Sequence, residues 1–139
     1  MSNEVVVVAL DKRYKKLSRE LAGRAEKILK FLKRKNVRVE VYLVGIPRMK
    51  ALNRRHRGKN KATDVLAFSV PAGFPAPRAL RHHLGEIYLC PPYVKAYRKD
   101  IGTLLAHGML HLTGFNHAGV NDRIAMEKKE MELLAWLNR

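Results

Sequence analysis

His107 and His111 stand four residues apart, and His117 follows six residues later. On a helix, four residues turn the chain by about 400°, so the first two rings share one face, one turn apart. A helix continued to His117 would carry it about 15 Å along the axis. Ligands of one zinc ion must each bring an atom to about 2.0–2.1 Å from it. The three rings therefore meet only where the helix stops and the chain folds back. Gly114 stands just past the last apolar helical position, and glycine takes the left-handed C′ conformation without a steric penalty. Pair, break and third histidine predict a three-histidine metal site with an open fourth position. That arrangement suits catalysis, whereas closed structural zinc takes four protein ligands.

The spacing H-x-x-x-H-x-x-G-x-x-H also resembles the long zinc-protease motif, with one departure. Those enzymes carry Glu directly after the first histidine as general base; here that residue is Gly108. The metal-binding half is present and the proteolytic half is missing.

The chain has 139 residues, a length that suits one domain over 1–139 with a core of its own. Cys90 is the only cysteine, so an intrachain disulfide is impossible, and one cysteine argues against a cysteine-based zinc site. The apolar run Val5–Leu10 is strand length, too short to span a bilayer. Asn3 and Glu4 precede it where a secretory leader would be basic, so a cytoplasmic protein is expected. Lys and Arg number 28 against 12 acidic residues, a formal net charge of +16. Such a balance points to a polyanionic partner, with nucleic acid ahead of an anionic membrane surface.

Glu4–Leu10 reads as a strand, β-branched and without alternation, expected to be covered on both faces. Tyr14–Lys35 carries one apolar stripe at helical spacing opposite a face rich in Lys and Arg. Val37–Val44 alternates as a half-exposed strand. Pro47 opens a short helix ending near His56. Asp64–Val70 and Gly85–Cys90 are two further strands, separated by a Pro- and Gly-rich loop from Pro71 to Leu84 that contains His82 and His83. Tyr93–Thr113 is helical in pattern with a break near Lys99–Asp100, and its apolar surface nearly all round predicts a buried central helix. Gly102 and Gly108 permit close packing. Asn121 or Asp122 can cap a last helix running to Leu137. The order predicts an α+β fold: a small mixed four-stranded sheet packed against helices, with the buried central helix carrying the histidines.

Three segments resemble the YbeY-type endoribonucleases: Leu52–Phe68, which is similar to their L-N-x-x-Y-R-x-x-D-x-P-T-D-V-L-S-F; Gly85–Cys90, similar to their G-D-I strand; and His107–His117, similar to their H-G-x-x-H-L-x-G-x-D-H. The resemblance covers essentially the whole chain. It implies a zinc-dependent, single-strand-specific RNA endonuclease acting in rRNA maturation, notably at the 3′ end of small-subunit 16S rRNA, and in ribosome quality control. It implies His107, His111 and His117 as ligands of one Zn2+ and Arg57 as the functional arginine. Single-stranded RNA, rRNA and the ribosome would be partners, with a ribosomal or assembly-factor protein as a further one and no membrane. This chain departs at Asn116, where the family has Asp, and at His56, Asn60 and Ala62, where it has Tyr, Asp and Pro.

Between Arg48 and Lys61 there are seven basic residues and no acidic one. Arg48, Lys50, Arg54, Arg55, Lys59 and Lys61 would hold an RNA backbone, and Arg57 can fork onto a phosphate. Asp64, Glu86 and Asn116 are candidates for a supporting or acid–base group. Two alternatives stand beside the nuclease: a metalloprotease-like hydrolase, and a non-catalytic RNA-binding assembly factor with structural zinc.

Overall fold

The computed structural model describes residues 3–70 and 82–139. Four strands form one sheet: β1 (Glu4–Ala9), β2 (Arg38–Leu43), β3 (Val65–Ser69) and β4 (His83–Leu89). Among the described residues five α-helices accompany them: α1 (Lys15–Phe31), α2 (Ile46–Arg57), α3 (Pro91–Ala96), α4 (Ile101–Leu112) and α5 (Val120–Leu137). The spatial order is β1-β2-β4-β3, with β1 and β4 parallel to β2 and β3 antiparallel to β4. Parallel neighbours need a crossover, and α1 supplies it between β1 and β2.

The expected α+β fold is therefore observed. β2 follows its alternation: Val39, Val41 and Leu43 are buried, and Arg38, Glu40 and Tyr42 are half-buried. The buried face meets Leu21, Ala25, Ile28 and Leu29 of α1 and Leu105, Ala106, Met109 and Leu110 of α4. Met126 and Leu133 of α5 close the same core. A smaller cluster of Val44, Met49, Leu66 and Cys90 joins α2 to the opposite face, with Tyr93 packed against it. The glycines in α4 work as the sequence predicts. Gly108 lies where a Cβ would come within 3.2 Å of Ile87, and Gly102 where it would meet the Arg24 side chain.

The structure corrects several boundaries. β1 is an edge strand with no fully buried residue, because pairing on one side and α1 on one face leave the rest of it half-open. α1 ends at Phe31 instead of Lys35: Lys33 and Asn36 take left-handed φ of 57° and 56°, which a helix excludes. β4 begins at His83, since Arg38 and Val39 of β2 continue to pair along it. Thus His83 and Leu84 belong to the strand, His82 is an exposed turn residue, and the rest of the expected loop, 71–81, lies outside the described residues. α5 begins at Val120 after an extended Gly119, which places Asn121 and Asp122 inside its first turn. Among the described residues no helix is long and apolar enough to cross a membrane.

Candidate metal centre

Three local devices build the site. Asp100 stops the preceding turn and caps α4, its carboxylate accepting from the Thr103 backbone N–H (3.0 Å) and hydroxyl (2.7 Å). Burial of its own Leu105 and Met109, with Gly108 set against Ile87 of β4, fixes the rotation of α4, so His107 and His111 emerge together on its less buried side. At the far end Gly114 takes φ 105°, and the Phe115 N–H reaches back to the Leu110 carbonyl at 3.0 Å. This is the glycine-terminated return that the sequence predicts. Asn116 tightens it, its side-chain oxygen accepting from the Ala118 N–H at 2.9 Å.

The return brings His117 onto the helical pair. Nε2 of His111 lies 3.2 Å from Nε2 of His107 and 2.9 Å from Nε2 of His117. One nitrogen from each ring lies within 4.8 Å of the others. Tetrahedral ligands at zinc distances stand about 3.3 Å apart, so the set fits such an ion. The pairing on His107 supports this. Its Nδ1 lies 3.3 Å from Oε2 of Glu130, delivered by α5. A ring that donates from Nδ1 to a carboxylate presents the Nε2 lone pair to the centre. Burial pushes the His111 pKa down, and the neighbouring His107 and His117 push it further. That favours the neutral form a metal needs.

The histidines line a cavity of about 410 Å³ together with Arg57, Thr63, Asp64, Gly108 and the β3 segment Val65–Phe68. β3 is a sheet edge, so its backbone forms one wall. Arg57 is the last residue of α2, which Gly58 terminates at φ 71°. His56 packs on Phe68 with ring centroids 4.7 Å apart, fixing that end of α2 to β3. Asn53 is buried and donates to the Lys61 carbonyl at 2.8 Å, which ties the basic loop to the helix.

The sequence-predicted residues divide clearly. His107, His111, His117, Arg57 and Asp64 share the cavity. Arg48, Lys50, Arg54, Arg55, Lys59 and Lys61 are exposed along α2 and its loop, outside the cavity lining. Asp64 accepts from the Val65 N–H (2.7 Å) and from Lys99 Nζ (2.6 Å). Burial acts to raise its pKa, but Lys99 and Val65 outweigh it and hold the carboxyl below its ordinary range. Asp64 is thus an ionised, already paired group and a poor proton donor. Glu86 requires a correction. Strand alternation turns Ile87 toward α4 and Glu86 to the other face, where it accepts from the Tyr88 hydroxyl at 2.7 Å and neighbours Glu40. It does not line the histidine cavity. Asn116 shapes the turn into His117 rather than presenting a free group. Glu130 went unread in the sequence. Its signal was an acidic side chain at the i+4 position from Met126 and three before Leu133, inside the buried stripe of α5.

Residues 2–138 match the family model described as endoribonuclease YbeY. A relative of that name from Symbiobacterium thermophilum is 33% identical, the match covering 99% of this chain and 95% of the relative. One from Thermodesulfovibrio yellowstonii is 30% identical, covering 95% and 94%. The solution structure of TM1509 from Thermotoga maritima aligns over 96% of this chain and 91% of its own, with a TM-score of 0.55 and 25% identity.

Proposed function

The chain belongs to the endoribonuclease YbeY family, and from that premise we propose that it is a single-strand-specific, zinc-dependent endoribonuclease. Its setting would be rRNA processing in the cytoplasm, at the 3′ end of small-subunit 16S rRNA, and ribosome quality control, with the ribosome or an assembly factor as partner. The observation that carries the reading is the convergence of three histidine nitrogens in one cavity with Arg57.

His107, His111 and His117 would hold the ion. Zinc bound there supplies a Lewis acid for a phosphoryl oxygen and brings the pKa of water toward about 7. Glu130 orients His107 and strengthens it as a donor. Arg57 places a fixed positive charge on the cavity wall, where it can fork onto the phosphate and stabilise charge that develops during cleavage. Arg54, Arg55, Lys59 and Lys61, exposed beside it, would hold the flanking backbone. A cavity of about 410 Å³ takes one phosphodiester and its neighbours more readily than a whole duplex, which favours single-stranded substrate. The test is incubation of the zinc-loaded protein with an RNA strand and the same strand annealed to its complement. Cleavage of the free strand and sparing of the duplex are expected; no cleavage of either refutes the reading.

One observation favours a second reading. Among the described residues the outer edge of β3, beside the histidines, pairs with no other strand, and an extended peptide can pair to such an edge, as a metalloprotease-like hydrolase would require. Gly108 offers no general base for that chemistry. Cleavage of unstructured protein at a rate above that of RNA would reverse the ranking.

A further inference from the structure

Among the described residues, Tyr97 is the one aromatic side chain in the set of exposed large apolar residues, 63% accessible at the C-terminal end of α3. It is nonetheless held in place. Its ring stacks on Tyr93 with centroids 4.4 Å apart and planes 24° from parallel. Tyr93 in turn packs on the cluster of Val44, Met49, Leu66 and Cys90. One face of Tyr97 is thus backed by the core, and the rest of the ring meets solvent.

The surroundings are cationic and tied to the cavity. Lys95 and Arg98 stand on either side of Tyr97 in the chain and are exposed, and among the described residues neither makes an ion pair. Arg98 takes a left-handed φ of 54°, and the Lys99 N–H bonds to the Val94 carbonyl at 2.9 Å, which closes α3 and turns the chain. Lys99 then reaches Asp64 at 2.6 Å, and Asp64 lines the histidine cavity. The same pair neutralises the carboxylate that would otherwise repel a phosphate backbone on this path.

We propose that Tyr97, backed by Tyr93 and flanked by Lys95 and Arg98, is a stacking platform for one base of a single-stranded RNA whose neighbouring phosphodiester enters the histidine cavity. The inference rests on the RNA-cleaving reading above. An aromatic ring offers a face to any base, and such stacking is sequence-tolerant. The lysine and arginine hold the adjoining phosphates. A duplex keeps its bases stacked on each other, so the platform also adds to the preference for single strands.

Steady-state cleavage of a short single-stranded RNA tests it. Tyr97→Ala should raise KM about tenfold with kcat little changed, and Tyr97→Trp should restore it. The dependence of KM on salt should keep its slope, because no charge is removed. In a series of substrates with one abasic nucleotide moved along the strand, one position should cost the wild type the same factor and cost Tyr97→Ala nothing more. An unchanged KM in Tyr97→Ala, whether or not its Tm falls, overturns the platform and leaves Tyr97 a cover for Tyr93. Failure of the wild type to cleave RNA at all overturns the nuclease reading and the platform with it; cleavage by the wild type with Tyr97→Ala identical overturns the platform alone.

Discussion

Oε2 of Glu130 lies 3.3 Å from Nδ1 of His107, across the packing of α5 on α4. Both side chains are about three-quarters covered, with 22% and 26% exposure. The carboxylate sets which nitrogen of the ring is free for a metal. Removing it leaves all three histidines in place but loosens one of them. Glu130→Ala should weaken zinc binding by about 10–100-fold, and Glu130→Gln, which keeps an acceptor without the charge, should fall between. Competition with a chromophoric chelator measures both.

Arg57 has a separate role that leaves metal binding untouched. Its place on the cavity wall at the end of α2 predicts that Arg57→Ala keeps full zinc content and loses about 10²–10³-fold in kcat. Arg57→Lys should recover little, because an ammonium cannot make the two-pronged contact. Metal analysis beside cleavage kinetics checks the separation.

The Asp64–Lys99 pair carries a pH signature in stability. Asp64 is depressed below its ordinary value of 3.8 and Lys99 is raised above its ordinary 10.5. A depressed carboxyl stabilises the fold above its unfolded pKa and loses that contribution as pH falls through the folded one; a raised ammonium does the reverse at the alkaline end. Wild type should therefore exceed Asp64→Asn in stability across the window between those values, by about 1 kcal/mol given the exposure of Lys99. The gap should close below pH 3.8. Thermal melts of both proteins from acid to neutral pH follow it.

Gly85 is a backbone requirement of β4. Its φ is 143°, and a Cβ there would overlap the Phe68 carbonyl oxygen of β3 and press on Leu112. Gly85→Ala should cost at least about 2 kcal/mol and lower Tm by about 5–10 °C, with the wall of the cavity disturbed as β3 shifts.

Much of the site could be read in the sequence because its parts are local. His107 and His111 share a face by helical geometry, and Gly114 marks the return that brings in His117. The strand character of β2 was visible in its alternation, whereas Arg57 was singled out only by the resemblance of Leu52–Phe68 to the family segment. What escaped depends on distant packing. Nothing near Glu130 in the chain shows that α5 lies against α4. Glu86 needed the strand phase to be settled by Ile87 meeting Gly108 before its side could be assigned. Lys33 and Asn36 adopt left-handed backbone that favourable helical composition conceals, so α1 stops early. β4 gains His83 and Leu84 because Arg38 and Val39 pair there, a contact separated by more than forty residues.

RNA cleavage is proposed to depend on an ion held by the three-histidine centre. That dependence is tested most directly on wild type and His111→Ala purified alike, stripped with chelator, reloaded with zinc and assayed together for bound metal and cleavage of single-stranded RNA. Wild type should bind one zinc per chain, lose cleavage on stripping and regain it on reloading, while His111→Ala should fail in both binding and cleavage. Cleavage that persists in metal-free wild type, or in His111→Ala, would show that the histidine centre is not required for it.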